Sequence, residues 1–255
     1  MEAKTDGGTI AMNQTIQQLF NRKSVRVFTD REITPEEKDL ILRSAVQAPT
    51  AGNQQLYTII DVTDQRMKDT LVRTCDNQPF IASAKLVLIF CADCRKWYDA
   101  FRFAGCQPRQ PGVGDLALAI SDATIAAQNA VTAAESLGIG SCYIGDIMEN
   151  CEAHRELLHL PQYVFPCCML VFGFPTEQQK ERTKPVRAAM RHVVHENGYR
   201  KMEAGELEAM LTKNVAPGNT YENWIHAFCK RKYNSDFSRE MSRSVAEYLK
   251  DYTDK

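Results

Sequence analysis

Apolar positions along the chain alternate between two periods. Residues 57–62, 85–91 and 164–174 are apolar runs of strand length, rich in β-branched and aromatic side chains. The second and third are nearly free of polar positions, as in strands covered on both faces. Residues 141–144 read as a short fourth strand. Between the runs, helical spacing returns. Residues 12–21 place Ile16, Leu19 and Phe20 on one face. Thr34-Pro35-Glu36-Glu37 is a helix start: threonine caps, proline fits the first turn, and Glu37 closes a capping box. The helix it opens turns Leu40, Ile41, Ala45 and Ala48 inward and stops near Pro49. Residues 65–75, 152–158, 207–211, 221–232 and 237–252 also read as helices. Residues 115–137 predict a helix of about 35 Å, with alanine at 117, 119, 123, 126, 127, 130, 133 and 134. Alanine favours helix and lets backbones approach closely, so this helix belongs in a core or a subunit interface.

Three stretches break the pattern. Residues 1–11 read as a flexible tail. Residues 93–114 mix aromatics, cysteines and prolines with Gly112-Val113-Gly114 and read as an excursion or lid. Residues 175–187 read as a charged loop. Helices alternate with strands through most of the chain, which argues α/β or α+β layering on a central sheet.

Composition narrows the function classes. A length of 255 residues suits one large domain, and a net charge of −1 gives no global case for nucleic acid or an anionic membrane. No apolar run approaches the roughly 20 residues of a membrane span, and the first eight residues lack a signal peptide's apolar core. Nine cysteines is an odd count without secretory context; reduced thiols and a cytoplasmic location are expected.

The candidate chemistry is anionic recognition. In Arg22-Lys23-Ser24-Val25-Arg26, an extended backbone points Arg22, Ser24 and Arg26 to one side and Lys23 and Val25 to the other. Guanidinium forks suit phosphate and a hydroxyl adds a bond; the same run also reads as a solvated basic strand. A second basic run, Arg182-Thr183-Lys184-Pro185-Val186-Arg187, follows the last core strand and carries the same two readings. Other sites fall short. Gly138-Ile139-Gly140 begins like a dinucleotide loop, but position 143 is tyrosine. Its glycines fit a helix end and a strand that approaches a planar ligand. Cys91 and Cys94 have ligand spacing without a second pair, so no metal is expected. No nucleophile elbow is present.

Taken in order, Arg22 to Arg26, Ala48-Pro49-Thr50-Ala51-Gly52-Asn53, Phe90-Cys91-Ala92-Asp93, the stretch 127–138, Tyr143-Ile144-Gly145 and Val194-His195-Glu196-Asn197-Gly198-Tyr199 resemble the FMN-dependent nitroreductase family. The similarity is greatest to its oxygen-insensitive NAD(P)H nitroreductase and flavin reductase branch, and covers residues 12 to about 200. The resemblance implies an α+β fold, with a mainly antiparallel central sheet flanked by helices, in an intertwined homodimer with FMN at the subunit interface. Residues 12–200 would form the FMN-binding domain, and 201–255 a helical extension on the same domain or on the partner subunit. Carried over by position, Arg22 and Ser24 would reach the phosphate side and Arg26 the pyrimidine edge. Thr50 and Asn53 would lie along the ribityl chain and ring, and Gln78 near the cofactor. Tyr143, Ile144 and Gly145 would line the ring. Lys184 and Arg187 would complete the phosphate site, with Arg182 able to replace one of them.

The resemblance further implies that hydride passes from NAD(P)H through flavin N5 to a nitroaromatic, a quinone or a free flavin. The flavin carries the chemistry and no catalytic side chain is required. NADPH and NADH both stay open, as do reductive dehalogenation and flavin fragmentation on the same scaffold. From a different class comes a binding module in which Lys230-Arg231-Lys232, Arg239 and Arg243 grip a nucleic acid or another partner. Their simpler reading is a solvated face.

Overall fold

In the computed structural model, which describes residues 2–5 and 8–253 and the side chains of 12–253, the chain opens with two short strands. β1 (Glu2–Thr5) and β2 (Gly8–Ala11) pair antiparallel. Part of the expected tail is thus paired backbone, and Met1, Asp6 and Gly7 lie outside the described residues. α1 (Gln14–Asn21) starts at Asn13, whose side chain accepts from the Ile16 N–H at 3.0 Å. α2 (Pro35–Val46) carries the full capping box, with Thr34 Oγ1 accepting from Glu37 N–H and Glu37 Oε2 from Thr34 N–H.

β3 (Tyr57–Asp61), α3 (Gln65–Thr74), α4 (Phe80–Ser83) and β4 (Leu86–Asp93) follow. Most of the expected excursion is α5 (Arg95–Phe103), steadied by an i,i+4 pair between Arg95 and Asp99 at 2.6 Å. Then come α6 (Val113–Ser136), β5 (Gly140–Ile144), α7 (Cys151–Leu158) and β6 (Val164–Gly173). The charged loop beyond β6 contains a short helix, α8 (Glu177–Glu181). α9 (Ala204–Leu211), α10 (Tyr221–Lys232) and α11 (Asp236–Leu249) complete the chain.

The central sheet has the order β3-β4-β6-β5 and is antiparallel throughout. Its middle strands are buried at every position. Successive β4 residues therefore feed opposite cores. Leu86, Leu88, Phe90 and Ala92 pack with α2, α6 and α11, while Val87, Ile89 and Cys91 pack with α3 and α4. A bulge opposite Phe90 and Cys91 leaves Cys167 as an extra residue, so Cys167 and Cys168 both meet the α6 side. On α6, Ala119, Ala123, Ala126, Ala127, Ala130 and Ala134 are fully buried; their small side chains let the helix lie close to sheet and α2. Gly138, at φ +73°, ends the helix by sending the Ile139 N–H back to the Ala134 carbonyl and its own N–H to Glu135. No helix among the described residues is long and apolar enough to cross a membrane.

The basic run beginning at Arg22 borders this sheet. Val25 N–H donates to the Ser141 carbonyl at 2.9 Å and Thr29 N–H to the Phe174 carbonyl at 2.8 Å. Ser24 bridges Ser141, and Phe28 bridges Pro175. Two facing glycines permit the approach. A Cβ on Gly140 would lie 2.5 Å from Val25, and one on Gly173 would lie 2.6 Å from the Phe28 ring. Gly140 therefore makes room for a chain segment, not for the planar ligand that the sequence reading placed there.

The chain divides into two compact units, one of residues 1–182 with 240–255 and one of residues 183–239. In the smaller unit, α10 stacks Tyr221, Trp224, Phe228 and Arg231 along one face, with Trp224 and Phe228 centroids 5.1 Å apart. The smaller unit begins at residue 183. The chain re-enters the larger unit at Glu240, where Tyr248 and Tyr252 are buried in the α6 core.

Candidate functional site

Val25 is buried, and Lys23 Nζ turns to the carbonyls of Lys180 and Arg182. Arg22, Ser24 and Arg26 all act on the Cys142 thiol of β5. Burial pushes that thiol up, and the two guanidinium groups and the Ser24 hydroxyl pull against it. Backbone contacts hold the run in place: Arg26 N–H donates to Gln179 Oε1 at 3.2 Å, and the Arg182 guanidinium donates to the Ser24 carbonyl at 2.5 Å. Arg182, among the late basic residues, is thus tied to this run.

Arg22 stands with its guanidinium carbon 5.9 Å from the Tyr143 ring, and its Nε is buried without a hydrogen-bond partner. Arg26 is exposed, 5.8 Å from the Phe80 ring. Tyr143 is half-buried, Ile144 buried, and Gly145 leads into a 3-10 turn over Asp146–Met148. Asp146 Oδ2 accepts from Gln78 Nε2 at 2.9 Å, and the same nitrogen donates to the Cys75 carbonyl at 2.9 Å. Both amide hydrogens of Gln78 are spent, which leaves its carbonyl oxygen as an acceptor. Arg22, Ser24, Arg26 and Tyr143 gather along β5, and Gln78 joins them at the turn beyond Gly145.

Thr50 and Asn53 form a second cluster. Buried Asp122 of α6 accepts from the Ala51 N–H at 3.0 Å and the Leu56 N–H at 3.1 Å, clasping both ends of their loop. Thr50 Oγ1 accepts from the Gln55 N–H, and Gly52 and Asn53 take positive φ. Tyr143 O–H points at Gln128 of the same helix, at 3.4 Å. Asp122 and Gln128 lie about 120° apart around α6 at about 100° per residue, so this loop and Tyr143 adjoin different faces of the helix. Lys184 and Arg187 belong to the smaller unit, where the Arg187 carbonyl accepts from Lys213 Nζ.

Sequence reasoning missed Asp122, one polar residue in an alanine-rich helix whose partners are 66 and 71 positions away. Asp146 was missed for the same reason, being 68 positions from Gln78. No thiol offers a nucleophile here. Burial pushes Cys75, Cys94 and Cys168 up to about 12, and Cys91, Cys142 and Cys167 are also raised by burial. What the cluster offers is positive charge, hydroxyl and amide groups, and a ring beside a strand end.

The pattern of the Nitroreductase family matches residues 19–174. The chain is 30% identical over 243 residues to an FMN reductase (NADPH) of Bacillus subtilis, covering 94% of this chain and 96% of that protein. It is 35% identical over 193 residues to an oxygen-insensitive NADPH nitroreductase of Salmonella typhimurium, covering 75% and 77%. The NADPH:FMN oxidoreductase of Vibrio harveyi, solved in complex with NAD+, superposes with a TM-score of 0.79 at 25% identity, covering 93% of this chain and 98% of that one.

Proposed function

This chain belongs to the nitroreductase family, and from that premise we propose that it is an FMN-dependent oxidoreductase using NAD(P)H to reduce a small acceptor such as a nitroaromatic, a quinone or a free flavin. The observation that carries the reading is the β5 cluster, above all the buried, unpartnered Nε of Arg22. A buried guanidinium nitrogen without a partner is costly unless an anion meets it. A flavin phosphate fits that requirement, with Ser24 beside it. When bound, FMN would supply the two-electron redox chemistry.

The chain's own groups bind and orient. Arg22 and Ser24 hold the phosphate side. Arg26 supplies positive charge at the pyrimidine edge, where a fixed cation assists electron uptake. The free carbonyl of Gln78 is the complement of a ring N–H, and Tyr143, Ile144 and Gly145 form the wall along the ring. No side-chain acid or base is assigned to the hydride step. Titrating the purified protein with FMN is expected to give a stable flavin spectrum that NADPH or NADH bleaches without oxygen and a nitroaromatic restores. A protein that acquires no flavin absorbance would refute the reading.

The reading includes a homodimer with the cofactor at the subunit interface. It is supported by the position of Thr50 and Asn53, which adjoin a different face of α6 from the β5 cluster, so a second copy is the means of supplying them. It is supported too by exposed apolar side chains on α2 (Leu40, Val46) and α6 (Leu118, Ile125). Sedimentation is expected to report two chains, and the double substitution Leu118→Glu, Ile125→Glu to shift it towards one while weakening FMN binding. A flavin-loaded wild-type monomer would contradict the interface placement.

A further inference from the structure

Behind the Gln78 clasp lies a carboxylate that the proposed chemistry does not use. Glu149 closes the 3-10 turn that begins at Asp146, its N–H donating to the Asp146 carbonyl at 3.0 Å. Only 5% of the residue is exposed, and its Oε1 is buried without a hydrogen-bond partner. The next residue is fixed from two sides: Asn150 N–H donates to Glu240 Oε1 of α11 at 3.1 Å, and Asn150 Nδ2 donates to the Thr74 carbonyl at 2.9 Å. These bonds fix the backbone where the turn ends.

The charges that act on it are all acidic: Asp146 on its own turn, Asp76 after α3, and Glu240 of α11. The Cys75 thiol and the His154 ring also interact with it. The first is raised by burial and the second lowered by burial, so both are neutral near pH 7. Arg243, on the same helix as Glu240, is bound to Glu240 at 2.8 Å and to Glu152 at 2.9 Å, and among the described residues no cation acts on Glu149 in the way the three acids do. An ionised Glu149 would thus face Asp146 with no opposite charge of its own. Asp146 is one of the two groups that hold Gln78, the Cys75 carbonyl being the other.

We propose that Glu149 is a positioning residue for the flavin: carrying a proton it leaves Asp146 free to clasp Gln78, and ionised it repels Asp146 and loosens that clasp. This rests on Gln78 being a cofactor contact. Burial, reinforced by the acidic neighbours, pushes the Glu149 carboxyl up to about 7, so the proton is lost near neutral pH. The sign follows from linkage. The folded state holds this proton more tightly than the unfolded chain, so the contribution is present below about 4.5 and lost as pH rises to about 7.

The test compares wild type, Glu149→Gln and Asp76→Asn from pH 5 to 8.5, reading the FMN dissociation constant and the melting temperature of the flavin-free protein. In wild type the dissociation constant is expected to rise at least threefold across pH 7 relative to Glu149→Gln. The melting temperature of Glu149→Gln should exceed that of wild type by a margin that grows with pH and levels off above 7. Asp76→Asn, a surface change, keeps the test alive if the glutamine variant does not fold. It removes one acidic neighbour and should move the wild-type transition to lower pH. FMN binding with equal pH dependence in wild type and Glu149→Gln would overturn the proposal and leave the cofactor reading intact. A growing melting-temperature margin without an affinity change would show a buried proton with no hold on Gln78, and would also overturn it. No FMN binding at any pH would sink the cofactor reading itself.

Discussion

Gly173→Ala is expected to cost about 2–3 kcal/mol of folding stability, a fall in melting temperature of roughly 5–10 °C for a chain of this size. The argument is steric. Gly173 has no positive φ, so a side chain there carries no backbone penalty. The added methyl would instead lie 2.6 Å from the Phe28 ring and 3.0 Å from its Cβ. Phe28 cannot retreat easily, because Thr29 N–H and the Phe28–Pro175 bridge fix the backbone on either side of it. Gly140→Ala meets Val25 in the same way, at 2.5 Å from Cγ2. Since Val25 lies between Ser24 and Arg26, Gly140→Ala should weaken FMN binding as well as folding. A double-mutant cycle separates this account from a general loss of packing. With Phe28→Ala the ring is gone and the space is vacant, so the double variant should lose less than the two single losses combined. Strictly additive losses, or a neutral Gly173→Ala, would mean that the segment is not held in this slot.

The two glycines also mark where sequence reasoning reaches its limit. Period and burial are local, and what depends on them was legible. The apolar runs became the buried strands β4 and β6, Thr34 to Glu37 became a capping box, and the alternation from Arg22 to Arg26 placed Val25 inside and the two arginines beside β5. Gly138, with positive φ, ended the long helix as read. Gly140, two residues later, was misassigned to a ligand, because what it admits is Val25, 115 positions earlier. α5 was hidden by composition. Its aromatics and basic residues resemble a loop's, and the usable signal was the four-residue spacing of Arg95 and Asp99. Asp122 and Glu149 carry no local signature. A carboxylate that clasps a distant loop and one that is buried among acids look in sequence like any exposed acid, because burial and partners come from the tertiary fold.

Arg22→Ala is expected to raise the FMN dissociation constant about 10- to 100-fold, the loss of one charge-assisted contact of about 1.5–3 kcal/mol. Its effect on the flavin-free protein should be of the opposite kind. Arg22 Nε is buried without a partner, and an unsatisfied buried donor costs about 1–3 kcal/mol. Removing it relieves that cost, against the loss of side-chain packing beside Tyr143. The melting temperature without FMN should therefore hold or rise, while the increment that FMN adds shrinks by about 1.4 kcal/mol for each tenfold loss of affinity. Arg22→Lys separates charge from geometry. It keeps the cation but loses the planar fork and the donor at the Nε position, so it should recover only part of the affinity. A purely structural arginine would behave otherwise, with equal losses in melting temperature with and without FMN and an unchanged dissociation constant. Divergence of the two melting curves is what assigns Arg22 to the anion, and with it the run from Arg22 to Arg26 to the cofactor.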